Sequence, residues 1–274
     1  MRVLLPVFVS PLLSIGCVNE SEMDSATDRD STDTQNRDET GVQAEPSASL
    51  SGRIIDVEGA ALSGLQMRLC MDSCVTAGTE DDGSFSFSRI DVGTHTLQAV
   101  SFSDPLHSTP HALITVQDGD ERVLADWVLP QFLSWEALES SANVELDGGL
   151  TLAADPTGLS TGPYSASSDA FIAAVRVIPA TSGLPLDELN CSPSALWYLG
   201  NYDLQIDPAW PLNETVIPDL PSGIYTLKTA DNDTQSWREE GTISVDSKGN
   251  ALPLSGGISQ LTTLALCSTQ EENE

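Results

Sequence analysis

Apolar and polar residues alternate in short runs along most of this chain, with a period of two. Leu65-Gln-Met-Arg-Leu-Cys70 places Leu65, Met67 and Leu69 on one face, and Ser84-Phe-Ser-Phe-Ser88 does the same with Phe85 and Phe87. A pleated backbone points successive side chains to opposite faces, so each run predicts a half-buried strand. Residues 52–57 and 94–100 read as further strands. Glu58-Gly59, Ser63-Gly64, Asp82-Gly83 and Val92-Gly93 supply the turns between them. Strands recurring every 8–12 residues or so, separated by turn signals, indicate a β-sandwich.

A second β region follows. Phe171-Ile-Ala-Ala-Val-Arg-Val-Ile178 predicts a buried strand, and 196–206 a longer one kinked at Gly200. Residues 223–227, 241–245 and 261–266 complete the set. Leu220-Pro-Ser-Gly-Ile-Tyr-Thr-Leu227 also echoes Ile90-Asp-Val-Gly-Thr-His-Thr-Leu97. The expected fold is all-β: two β-sandwich domains, at 49–129 and 130–268, with no helix beyond short turns.

Ahead of these domains the pattern is different. Residues 1–16 carry one cation, Arg2, then an apolar run too short to span a bilayer, and end in Ser14-Ile-Gly16 before Cys17. Hydrophobicity is lost immediately afterwards, which marks an export signal. A cysteine at the cut resembles a bacterial lipoprotein. That resemblance implies that Cys17 is lipidated and becomes the mature N-terminus. Val18, in place of Asp, implies sorting to the outer membrane. Ser14-Ile-Gly16 equally suits an ordinary signal peptidase, which would leave a soluble exported protein. Cysteine arithmetic favours the lipoprotein: five cysteines is odd for an oxidising compartment, and committing Cys17 leaves four that can pair. Residues 17–48 alternate acids with Ser, Thr and Asn and hold no aromatic residue, so a disordered acidic linker is expected. Residues 269–274 form an acidic tail.

Net charge is −30, from 41 acids against 11 bases. Phosphate backbones are bound through basic surfaces that release counterions, so nucleic acid is excluded as a partner. The expected membrane attachment is through the lipid anchor, and more than one acyl chain holds a protein stably.

Within the first domain, Ser51-Gly-Arg-Ile-Ile-Asp56, Ala61-Leu-Ser-Gly-Leu65, Thr79-Glu-Asp-Asp-Gly-Ser-Phe-Ser-Phe87 and Val92-Gly-Thr-His-Thr-Leu97 follow in order. Together they resemble a carboxypeptidase regulatory-like domain over about residues 49–129. The departures are Glu80 for the usual Asp, Asp91-Val92 for the proline step and His95 for Tyr. The resemblance implies a transthyretin-like sandwich, classed with carbohydrate-binding-like folds, that accompanies enzymes or surface proteins and catalyses nothing itself. Fold does not supply function.

Candidate chemistry is sparse. Four cysteines permit three connectivities; three residues separate Cys70 from Cys74, the length of a hairpin loop that brings two cysteines within disulfide reach, which favours Cys70–Cys74 with Cys191–Cys267. A zinc site is the rival reading of the four cysteines, disfavoured by export and by the lack of nearby histidines. Asp104, His107 and His111 share one proline-rich loop and are the metal candidates, although a surface loop explains them as well. Gly158-Leu-Ser-Thr-Gly162 matches the hydrolase elbow, but Asp155-Pro156 precedes it and all three histidines lie upstream, so it reads as a turn. Glu80-Asp-Asp82 lacks the calcium-loop pattern.

Trp197, Tyr198, Tyr202, Trp210 and Trp237 are the candidates for stacking on a sugar ring, with core packing as the alternative. No catalytic residue and no cofactor is expected. The functional expectation is a non-enzymatic envelope lipoprotein that binds or scaffolds protein or glycan. The alternatives are a carbohydrate-binding accessory module of a surface enzyme system and, behind it, a metal-dependent hydrolase.

Overall fold

The computed structural model describes residues 48–101, 107–138, 141–161, 171–200 and 204–269. The leader, Cys17 and the linker up to residue 47 lie outside these, as does the tail from 270. The described residues belong to one compact unit. They contain strands and short 3-10 turns but no α-helix, and none of their helices is long and apolar enough to cross a membrane.

The first eight strands are β1 (Ala48–Ile55), β2 (Gln66–Cys70), β3 (Cys74–Gly78), β4 (Ser84–Ile90), β5 (Gly93–Val100), β6 (His111–Val116), β7 (Glu121–Val123) and β8 (Trp127–Val128). They make two sheets. One runs β4-β1-β7, with β8 also pairing β1; the other runs β3-β2-β5-β6. Leu65, Met67, Leu69, Phe85 and Phe87 all enter the core between them, as the alternation predicts.

The remaining strands are β9 (Glu136–Ala137), β10 (Ala142–Leu146), β11 (Leu150–Ala154), β12 (Leu159–Thr161), β13 (Phe171–Val177), β14 (Pro193–Gly200), β15 (Leu204–Trp210), β16 (Thr215–Val216), β17 (Gly223–Asp231), β18 (Ser236–Val245), β19 (Asn250–Gly256), β20 (Ile258–Leu261) and β21 (Thr263–Ser268). An eight-stranded sheet, β16-β19-β18-β17-β21-β14-β13-β9, faces β12-β15-β20 and the hairpin β10-β11 across a second core.

The eight-stranded sheet serves both cores. Ala173, Val175, Leu196, Tyr198, Ala265 and Cys267 point from β13, β14 and β21 into the first core. Their neighbours Ile172, Ala174, Trp197, Leu199, Leu264 and Leu266 point into the second. Strands buried on both faces need unbroken apolar runs instead of alternation, and Ala195-Leu-Trp-Tyr-Leu199 is one.

The single kinked strand expected at 196–206 is instead two. β14 ends at Gly200, where a Cβ would stand 2.7 Å from the Phe132 ring. Beginning at Leu204, β15 lies in the opposing sheet, so that Leu204, Ile206 and Trp210 fill the second core from its other side. In the same way β20 and β21 part at Thr262, whose buried hydroxyl donates to the Ala230 carbonyl at 3.0 Å.

The echo between the two regions has a structural basis. Tyr225 Oη donates to the Pro221 carbonyl at 2.7 Å, and His95 Nε2 donates to the Asp91 carbonyl at 2.8 Å. In each case a ring two residues into a strand ties the strand to the corner four residues upstream, as a tyrosine corner does.

Candidate functional site

A groove of about 570 Å³ opens where the two sandwiches meet. The turn following β1 forms one wall. Asp56 Oδ1 accepts from the amides of Glu58 and Ala60 at 2.9 and 2.8 Å, which holds Val57 outward at 63% exposure. The chain beyond β8 forms the next wall, fixed by Leu129 N donating to the Ile55 carbonyl and Val128 N to the Ser182 carbonyl, both at 2.8 Å. Val175 and Val177 of β13 continue the lining.

Leu133 and Ile178 line the same groove at 82% and 69% exposure. Trp135, two residues beyond Leu133, is 58% exposed. Concave sites with apolar walls and a few polar groups, set where modules join, are the common geometry for small ligands. Here the polar residues of the lining are Asp56, Glu58, Gln131, Arg176, Thr181 and Ser182.

Of the stacking residues predicted from sequence, the described ones, Trp197, Tyr198, Trp210 and Trp237, do not line this groove. Trp197, Tyr198 and Trp210 are fully buried, which corrects their reading as a sugar platform. Trp197 Nε1 donates to the Asp147 carbonyl at 3.2 Å, and Trp210 Nε1 to the Asp155 carbonyl at 2.9 Å. Tyr198 Oη accepts from Trp127 Nε1 at 3.3 Å, and burial raises its pKa strongly. Trp237 is half-buried against the first core, and Tyr202 lies outside the described residues. Among the described residues, Trp135 is the tryptophan left exposed. Its place in the Pro130-Gln-Phe-Leu-Ser-Trp135 connector was the available signal, because loops carry binding residues more often than core strands do.

Of the metal candidates, Asp104 lies outside the described residues, His107 bridges to Gln131 and His111 sits inside β6. No group of three His, Cys, Asp or Glu side chains that could hold a metal occurs among the described residues. Both disulfides are formed as paired from the sequence, Cys70–Cys74 and Cys191–Cys267. Ser160, the centre of the elbow-like motif, is exposed in the middle of β12 with Gln205 opposite, so the motif is strand and not an elbow. Glu80-Asp-Asp82 is a closed turn: Gly83 N donates to the Glu80 carbonyl at 2.9 Å, and Ser84 N to Asp82 Oδ1 at 2.9 Å.

The densest polar cluster is structural. Glu240 Oε1 accepts from Thr229 Oγ1 at 2.6 Å and from Arg238 Nε at 3.1 Å, while Glu240 Oε2 accepts from Ser259 N at 3.1 Å. Arg238 also pairs with buried Asp231 at 3.1 Å. These bonds join β17, β18 and β20.

His111 gives the fold a measurable acid sensitivity. Burial first, and then the charge of Arg68, lower its pKa to about 3 from an ordinary 6.5. Between those values the unfolded chain binds the extra proton, so stability falls as pH drops through 6.5 and continues to fall towards the folded value. The loss expected by about pH 5 is about 2 kcal/mol. Urea unfolding at neutral and mildly acidic pH measures it. His111→Gln should flatten that slope, and an unchanged slope in the variant would contradict the assignment.

No family profile matches the chain, and no curated protein does. Among solved structures, a DUF3823 family protein from Bacteroides ovatus is 14% identical, with 84% of this chain and 86% of that one covered and a TM-score of 0.26. A candidate carbohydrate-binding protein from Bacteroides uniformis is 10% identical over 81% and 99%, with a TM-score of 0.25. The full-length major pilin SpaD from Corynebacterium diphtheriae is 11% identical over 83% and 88%, with a TM-score of 0.28. These similarities assign neither family nor function.

Proposed function

We propose that this protein is a non-enzymatic binding module of the cell envelope, held to the outer membrane by lipid on Cys17, that offers the junction groove to a glycan. The observation that carries the reading is the gathering of exposed Val57, Leu133 and Ile178 around one concavity, since apolar side chains clustered in one place, unlike those scattered singly over the surface, mark interaction sites. Aliphatic walls suit the C–H face of a sugar ring, the carboxylates of Asp56 and Glu58 with the Gln131 amide suit its hydroxyls, and Trp135 offers a stacking face. The overall charge favours neutral or amine-bearing glycans over anionic ones.

A glycan array with the purified protein tests this. Binding that falls at least about tenfold in Leu133→Asp and Trp135→Ala, with folding intact, supports the glycan ligand. A stable envelope protein partner lost in the same variants, without sugar binding, replaces the glycan with protein. Hydrolase turnover would overturn both. Cys17→Ser should release the protein from membranes, and retention of the variant would remove the anchor from the proposal.

A further inference from the structure

The edge of the first sandwich carries a second, independent surface. Strand β3 closes the sheet β3-β2-β5-β6 on one side, and no other strand among the described residues pairs with its outer edge. Its register against β2 is regular, with Cys70 opposite Cys74, Leu69 opposite Val75, Arg68 opposite Thr76 and Met67 opposite Ala77. The Cα atoms of Cys70 and Cys74 are 4.0 Å apart, the spacing of a non-hydrogen-bonded pair. Consistent with that phase, Thr79 N donates to the Leu65 carbonyl at 3.0 Å. The amides of Val75 and Ala77 therefore point to β2, and those of Cys74, Thr76 and Gly78 point to the free edge.

Exposed edges are ordinarily guarded by lysine, proline, an inward charge or a bulge. Cys74-Val-Thr-Ala-Gly78 has none of these. Val75 lies on the core side, opposite buried Leu69, yet is 54% exposed, so the core is uncovered at this rim. Beside the far end of the strand a groove of about 550 Å³ is lined by Ala77, Gly78, Phe85 and Ser86. Acids flank the uncharged strand at both ends, with Asp72 before it and Glu80 and Asp81 after it, all exposed.

We infer that β3 is a docking edge for an extended segment of a partner protein, one with small or β-branched residues at its centre and lysine or arginine at both flanks. Main-chain bonds to Cys74, Thr76 and Gly78 would supply affinity, an apolar side chain over Val75 would complete the core rim, and the flanking acids would select for basic ends. A second copy of this chain fits poorly. Antiparallel self-pairing centred on Thr76 sets Asp72 of each copy against Glu80 of the other.

The probe is a labelled synthetic peptide, Lys-Lys-Val-Thr-Val-Thr-Val-Lys-Lys, titrated into the purified full chain by fluorescence anisotropy. Saturable binding is expected, weakened at about half-molar salt and at least about tenfold weaker for the same peptide with glutamate flanks. Thr76→Pro removes only an outward amide, which edge strands tolerate; it should weaken binding at least about tenfold at an unchanged melting temperature. Should that variant melt lower, Val75→Lys, a guard residue on the same edge, gives the same test. Wild-type affinity in both variants, equal binding of the glutamate peptide, or no saturable binding overturns the inference. Self-association of the wild type that is lost in Thr76→Pro would also overturn it, assigning the edge to a second copy.

Discussion

Trp197→Ala is expected to cost about 3–5 kcal/mol of folding stability, the range for deleting a large aromatic side chain from a close-packed core. Trp197 lies in β14, paired on one side with Arg176 of β13 and on the other with Leu264 of β21. Its ring is fully buried in the second core, and the Arg176 guanidinium sits 5.5 Å from the ring centroid. Its Nε1 donates to the Asp147 carbonyl, at the turn where β10 leads into β11. That turn is itself constrained. Gly149 has φ +82°, and a Cβ there would stand 2.1 Å from the Val216 carbonyl oxygen. Alanine at 197 therefore removes packing at the centre of the sheet and leaves the tip of the adjoining hairpin without its donor. Trp135→Ala should shift stability by less than about 0.5 kcal/mol, because the ring is exposed. Urea unfolding of the two variants separates a core tryptophan from a surface one. A Trp197→Ala protein as stable as the wild type would refute the doubly buried sheet.

The contrast between these tryptophans shows what was legible in the sequence. Strict alternation at 65–70 and 84–88 specified which side chains face the first core, because those strands each have a single buried face. Residues 195–199 carry no alternation, since the strand is buried on both faces. An unbroken apolar run gives no face to a periodicity argument, so it could not separate core from platform, and the aromatic residues there became ligand candidates. Gly200 looked like a kink within one strand. Only the tertiary structure shows the Phe132 ring against it and the chain passing to the opposing sheet. The groove was harder to read for a different reason. Val57, Leu133 and Ile178 are 121 positions apart from first to last, each lies in or beside a turn, and nothing local marks them as neighbours. Strand β3 is the opposite case. Its uncharged run between acids is plain in the sequence, but its position at a sheet edge is a property of topology.

Replacing Cys191 and Cys267 together with serine is expected to remove about 4.5 kcal/mol, the chain-entropy value for a closed loop of this length. The two cysteines are 76 residues apart in sequence. The bond joins the segment ahead of β14 to β21, and these strands pair directly, with Pro193 opposite Cys267. It therefore closes a loop containing β14 to β20, most of the eight-stranded sheet and all of β15 and β20 opposite it. Reduction frees that whole loop in the unfolded chain and leaves the native pairing in place, so the effect falls mainly on the unfolded state. The folded double variant should therefore keep its β circular dichroism while its urea midpoint falls. Cys70 and Cys74 are only four residues apart, and the same relation assigns their bond a much smaller entropic effect. Serine at both of those positions should cost less than half as much as at 191 and 267. Equal losses from the two pairs would show that loop closure is not what the long bond contributes. A larger loss from the hairpin pair would place the weight of disulfide stabilisation on the native rim of the first sandwich, where Cys70 is buried and Cys74 begins its outermost strand.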